Sequence, residues 1–153
     1  MTISHYELPY HLVEKYNGWA SRELIELYMR LCRVIFARYQ GKVKYWLTFN
    51  EINAGTRPAG NLMALGTCRG YEGPRPGIPD DPQTRYQALH HQFVASAKAV
   101  AYAYRNYPEY VMGCMILFAA SYPLTCNPVD LVANQQNMNQ MNWFCGDVQC
   151  RGI

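Results

Sequence analysis

Apolar residues recur at two different spacings along the chain, and the change of spacing marks the elements. Three stretches read as strands, and the second and third lack clean apolar/polar alternation, as strands covered on both sides do. They are a stub at "TIS" (residues 2–4), "VKYWLTFN" (43–50) and "VMGCMILFA" (111–119). Helical spacing separates them. Leu24, Leu27, Leu31, Val34 and Ile35 in residues 21–40 predict an amphipathic helix, with Ser21 as N-cap and Gly41 as its stop. A second helix is expected from Asp81 (cap) and Pro82 (first position) to about Asn106, where Pro108 ends it. Its expected face is Tyr86, Leu89, Phe93, Val94, Ala97, Val100, Ala101 and Tyr104. A third helix is expected after Asn127-Pro128, with Asp130 in its first turn, although its body "NQQNMNQMN" is strongly polar. Between the second strand and second helix, residues 54–79 form a Gly- and Pro-rich connection of a length expected to be either functional or disordered.

The order strand-helix-strand-helix-strand-helix argues for parallel strands joined by crossover helices. With a stub at one end, the three strands read as a slice of a larger α/β fold.

Composition narrows the picture. The 153 residues suit one domain; half are apolar and 16% charged, so a core is available. The formal charge of +3 is weak and no dense Lys/Arg run exists, which argues against nucleic acid as a partner. No stretch reaches the length of a membrane helix, and "MTISHYELPYH" does not read as a signal peptide, so a cytoplasmic location is expected. The six cysteines form no CxxC pair; the expectation is reduced thiols, with no metal site and no cofactor. Thirteen Tyr among 14% aromatics suit either a sugar-binding cleft or plain packing.

Parallel α/β folds assemble their sites at the C-terminal ends of strands. There the sequence offers His5, Tyr6 and Glu7, then Asn50 and Glu51, then Ser121 and Tyr122. This set can bind sugar hydroxyls, and a carboxylic acid among them can protonate a glycosidic oxygen. Each residue also has a bland reading. Asn50-Glu51 can be a strand exit into a turn, His5 a packed histidine, Tyr6 and Tyr122 structural.

At these residues a resemblance appears. "WLTFNEIN" resembles the acid/base motif of glycoside hydrolase family 1, and "SHYELPYHLVEKYNGW" resembles that family's segment at the end of its third strand. "YQALHHQFVASAKAV" is similar to the helix after its fourth strand. "GCMILFAASYPLTCNPVD" and "NWFCGDVQCRG" look like its 6-phospho-β-glucosidase branch. The resemblance is colinear over the chain. It implies a partial (β/α)8 TIM barrel, from about the end of strand 3 through the helix after strand 5. Residues 1–153 would then be an incomplete segment of one glycosidase barrel domain. It implies Glu51 as the catalytic acid/base, Asn50 on the sugar 2-hydroxyl, His5 on a hydroxyl near C3, and Tyr6 lining the same subsite. The substrate implied is a β-glucoside or 6-phospho-β-glucoside.

The departures matter as much. A retaining glycosidase uses a second carboxylate about 5 Å from the first, which in this family stands in a Glu-Asn-Gly motif. No such motif occurs here, and the only acids after residue 109 are Asp130 and Asp147. Glu7 is a poor substitute, because Pro9 suggests a fixed turn. The expectation is half of a two-carboxylate site, inactive alone. Two alternatives stay open: a non-catalytic remnant that self-associates through exposed sheet edges or binds a complementary fragment, and a different retaining barrel glycosidase, since Asn-Glu at a strand end recurs among such barrels.

Overall fold

A computed structural model describes residues 1–74 and 77–151. Arg75 and Pro76 of the long connection, and Gly152 and Ile153, lie outside the described residues.

Three strands form one parallel sheet: β1 (Thr2–Ser4), β2 (Tyr45–Phe49) and β3 (Val111–Gly113), in the order β1-β2-β3. Thr2 pairs with Leu47 and Ser4 with Phe49; Tyr45 pairs with Val111 and Leu47 with Gly113. Helix α1 (Tyr10–Tyr16) follows β1, α2 (Glu23–Arg38) leads to β2, and α3 (Pro82–Asn106) leads to β3. Helices α4 (Pro128–Met138) and α5 (Phe144–Arg151) follow, joined by a π turn at Asn139–Trp143.

Strand side chains alternate between sheet faces, so the contacts of β2 locate the helices. Trp46 packs edge-on to Phe36 of α2, ring centres 5.0 Å apart. Thr48 Oγ1 lies 2.8 Å from Ser96 Oγ of α3. Both crossover helices therefore cover one face. On the opposite face the register partners Tyr45 and Val111 are 65% and 45% exposed. Successive parallel strands with their helices all on one side are the repeating unit of a (β/α)8 barrel.

The buried stripes differ from the expected ones. On α2 the buried residues are Leu24, Ile25, Tyr28, Met29, Cys32 and Phe36, whereas Leu31 and Val34 are exposed. That helix is apolar around more than half its girth, so periodicity leaves its orientation loose. On α3, Leu89 and Phe93 are buried as expected, but the deepest positions include Ala88, Ala95, Ala99 and Ala103. Small side chains let α3 approach its neighbours closely. Val94, Ala97, Val100 and Ala101 instead line a groove shared with Phe144 and Val148 of α5.

Caps follow their chemistry. Asp81 accepts from the Gln83 and Thr84 N–H groups, with Pro82 opening α3. Asn127 accepts from the Val129 N–H at 2.9 Å, with Pro128 opening α4. At α2 the expected Ser21 cap lies one residue outside the observed N-cap, Arg22, and Ser21 Oγ accepts from Glu23 N at 3.3 Å.

Much of the aromatic content is packing. Phe36, Trp46, Tyr107 and Tyr110 form one cluster behind the sheet; Tyr107 stacks on Tyr110 at 5.0 Å, and the Tyr110 hydroxyl donates to Phe36 O at 2.7 Å. Trp19 closes the other end, edge-on to Tyr28 and Phe49. Gly18 allows this. Its φ is +56°, and a Cβ there would lie 2.3 Å from Leu65 O, so the backbone of residues 65–66 crosses where a side chain would stand.

The third strand is shorter than expected. Its ladder ends at Gly113, yet the chain stays tied to its neighbours: Met115 N donates to Phe49 O at 3.0 Å and Met115 O accepts from Ile52 N at 3.1 Å. Beyond that point side chains replace backbone as partners.

Candidate active site

Because the strands are parallel, β1, β2 and β3 deliver their C-terminal ends to one side of the sheet. Asn50 N donates to Ser4 O at 2.9 Å, so the residues following β1 and β2 lie against each other. Both chains then turn abruptly. Tyr6 has φ +74° and Glu51 has φ +42°, left-handed backbone that L side chains seldom adopt. These turns bring the two side chains together, and the Tyr6 hydroxyl donates a hydrogen bond to Glu51 Oε2. Asn50 beside them is 5% exposed, and Glu51 is half-buried.

His5 is exposed, with its ring edge-on to Tyr6 at 5.8 Å. Glu7 Oε1 accepts from His5 N at 2.7 Å, which commits this carboxylate to its own turn. The structure thus gathers His5, Tyr6, Asn50 and Glu51 at the ends of β1 and β2. Ser121 and Tyr122 play no such part: the Ser121 hydroxyl donates to Asn134 Oδ1 at 2.7 Å and accepts from Asn137 Nδ2, while Tyr122 is 85% exposed.

Sequence reasoning missed the supports beneath this group. Asn53 is fully buried and bonds to Leu117 and to Met141 O. Asn142 bonds to both backbone groups of Ala119. Arg57 donates to Asn137 Oδ1, and Gln140 Nε2 donates to the Tyr86 hydroxyl at 3.0 Å. The polar body of α4 and the π turn, which counted against a packed helix, holds these loops instead. The signal was present: a run of amides on a helix facing loops is a set of backbone surrogates. A second support is the buried Arg85, whose Nε donates to Asp80 Oδ1 at 2.7 Å and Nη1 to Gly55 O at 3.2 Å. Asn61 Nδ2 also donates to Asp80, at 2.8 Å. The Arg85 hydrogen bond holds the Asp80 carboxyl below its ordinary value, against a smaller opposing effect of burial.

Among the described residues, no three or more His, Cys, Asp or Glu side chains gather so as to hold a metal ion, and no helix is long and apolar enough to cross a membrane. Burial pushes the Cys32 and Cys145 thiols up to about 12.

Comparisons with known proteins bear on this arrangement. The chain is 46% identical over 153 residues to a 6-phospho-beta-glucosidase from Dickeya chrysanthemi. It is 43% identical over 152 residues to one from Clostridium longisporum, and 44% identical over 155 residues to the aryl-phospho-beta-D-glucosidase BglH of Bacillus subtilis. Each match covers 99% of this chain and 30% of the relative, so the chain spans under a third of the proteins it resembles. In structure it superposes on a GH1 beta-glucosidase from Exiguobacterium antarcticum with a TM-score of 0.78 at 21% identity, covering 99% of this chain and 32% of that one. The AHE enzyme from Alicyclobacillus herbarius gives a TM-score of 0.75 at 21% identity, covering 96% of this chain and 31% of that one. At such identity these likenesses speak for the fold. The sequence profile of glycosyl hydrolase family 1 matches residues 1–153 throughout, and with the acid-bearing strand end in place, the chain belongs to glycosyl hydrolase family 1.

Proposed function

We propose that residues 1–153 form part of a single glycosidase barrel, and that the whole protein hydrolyses β-glucosides, 6-phospho-β-glucosides in particular, by a retaining mechanism. The observation that carries this reading is the contact between Tyr6 and Glu51 at adjoining strand ends. The phosphorylated substrate is supported by the names of the relatives, several of them 6-phospho-beta-glucosidases.

The chemistry assigned to each group is as follows. A nucleophilic carboxylate, supplied by a part of the barrel beyond these residues, attacks C1 of the sugar. The C1–O bond breaks, and Glu51 gives its proton to the departing oxygen. The Glu51 carboxylate then takes a proton from water, whose oxygen bonds to C1 and displaces the nucleophile. Asn50 holds the 2-hydroxyl, His5 a hydroxyl near C3, and Tyr6 both lines that subsite and holds Glu51. Glu7 has no catalytic part, since its carboxylate caps a turn.

The test exchanges these 153 residues for the matching segment of the Dickeya chrysanthemi relative and assays an aryl β-glucoside with and without a 6-phosphate. The chimera turns over the phosphorylated substrate preferentially, and Glu51→Gln lowers its rate by about 10²–10⁴ where the leaving group needs protonation. Full activity in Glu51→Gln would sink the assignment. Turnover by the isolated chain would sink the claim that the nucleophile lies elsewhere.

A second reading, a non-catalytic remnant, is favoured by the exposed Tyr45 and Val111 on the sheet face away from the helices. It expects the isolated chain to run as an oligomer on size exclusion; a monodisperse monomer counts against it.

A further inference from the structure

We infer that Asn53 is a positioning residue for Glu51: its carboxamide replaces the strand ladder that the turn at Glu51 breaks, and so fixes where the acid stands. The inference rests on the reading of Glu51 as acid/base.

Glu51 leaves the strand with φ +42°. A residue in that conformation ends regular pairing, and the backbone of residues 52–56 coils into a short 3-10 turn. The segment after β3 nevertheless runs on alongside it, and its peptide groups still take partners there. Its alternate residues find them in sequence. Met115 bonds to backbone, through Phe49 O and Ile52 N. Leu117 bonds to a side chain: its N–H donates to Asn53 Oδ1 at 3.0 Å, and its carbonyl accepts from Asn53 Nδ2 at 2.8 Å. Ala119 does the same with Asn142, N–H to Oδ1 at 2.9 Å and Nδ2 to carbonyl at 3.0 Å. One carboxamide thus presents a donor and an acceptor side by side, as a strand's peptide group would.

Asn53 goes further than Asn142. Its second amide proton reaches Met141 O at 2.7 Å, in the π turn between α4 and α5. Its own carbonyl accepts from Thr56 Oγ1 at 2.9 Å, closing the turn behind it. Two amide donors and an acceptor are engaged in a fully buried side chain, two residues beyond Glu51. Asp offers no donors there, and Ser or Ala cannot reach both partners. Asn142 holds the same segment farther along, and its hydrogen bonds go to Ala119 and Met138 and not to the turn at Glu51. It serves as a control for stability without positioning.

Positioning of a general acid has a signature that stability lacks. Protonation matters for a poor leaving group and hardly at all for a good one. The ratio of kcat/KM between two substrates is also independent of how much enzyme is folded, because both are measured on the same preparation.

The experiment uses the chimera described above, with a 6-phospho-β-glucoside of an alkyl or sugar alcohol and the corresponding dinitrophenyl 6-phospho-β-glucoside. Asn53→Ala is expected to lower kcat/KM for the first about 10²-fold, as an acid misplaced by about 1 Å would, and for the second less than about 3-fold. Asn142→Ala leaves the ratio unchanged. The inference is overturned if Asn53→Ala lowers both substrates alike, or if Asn142→Ala shifts the ratio as far. Glu51→Gln, run beside them, separates the two levels: if it fails to change the ratio, the reading of Glu51 itself falls. If Glu51→Gln changes the ratio and Asn53→Ala does not, only the positioning inference falls.

Discussion

The hydroxyl of Tyr6, at the end of β1, donates to the carboxylate of Glu51, at the end of β2. Both residues stand in left-handed backbone, at φ +74° and +42°. Such conformations cost about 1–3 kcal/mol each and persist where the surroundings hold them. Here the partners of Asn50, Ile52 and Asn53 do the holding.

Tyr6→Phe removes that donor and keeps the ring. As Glu51 gives up its proton its carboxyl takes on charge, and a hydrogen bond to a charged group contributes about 1.5–3 kcal/mol, so kcat/KM of the chimera is expected to fall about 10- to 100-fold. Melting temperatures should show that the fold survives. An unchanged kcat/KM would mean that the contact is incidental to the acid.

Asp80 and Arg85 anchor the long connection to the start of α3. The folded carboxyl lies below its ordinary value of 3.8, chiefly through the Arg85 hydrogen bond. A depressed folded value contributes stability that is full above the unfolded value and lost as pH falls through the folded one. Asp80→Asn should therefore destabilise the chain by about 2 kcal/mol at pH 7, leaving the buried guanidinium without its anion. The gap to the parent should close at pH values below 3.8. Urea titrations at several pH values measure this, and a gap that stays constant into acid refutes the pairing.

Thiol reactivity should divide the cysteines. Cys126 and Cys150 are exposed, whereas Cys32 and Cys145 are buried, with thiols pushed up to about 12. At pH 8 a thiol reagent should modify the first pair quickly in the isolated chain. The second pair should react only on unfolding, since the thiolate is the reactive form. Rapid labelling of Cys32, read by peptide mass, would contradict the packing of α2 on the sheet.

Gly18→Ala puts a methyl group where the carbonyls of Leu65 and Gly66 pass, 2.3 and 2.4 Å away, on backbone at φ +56°. Strain and clash together should cost more than about 2 kcal/mol, seen as a lower urea midpoint. Gly41→Ala is the contrast. Its φ is +73°, but no atom stands within 4 Å of the added methyl, so the loss should be smaller. Equal losses would show that the close approach at Gly18 carries no energy of its own.

The sequence by itself determined the order of the three strands and the long helices between them, and where β1 and β2 end, but it ran β3 on past Gly113 and did not mark α1 or α5. Pro82 and Pro128, each behind a capping Asp81 or Asn127, announced their helices because a missing N–H and a short side-chain acceptor suit a first turn and little else. It also placed His5, Tyr6, Asn50 and Glu51 at neighbouring strand ends, since parallel strands all finish on one side. What it left open was rotation and partnership. The stripe of α2 that meets the sheet, the alanine face of α3 and the exposure of Leu31 and Val34 depend on which neighbour each helix meets. Nothing in the sequence set Asn53 apart, and Asn142 closes the polar run of residues 134–142. They became buried surrogates for backbone because Glu51 turns the chain away from a segment whose peptide groups still need partners. Periodicity reports the residues within one element; a hydrogen bond across 64 residues, from Asn53 to Leu117, exists once the tertiary structure has closed around it.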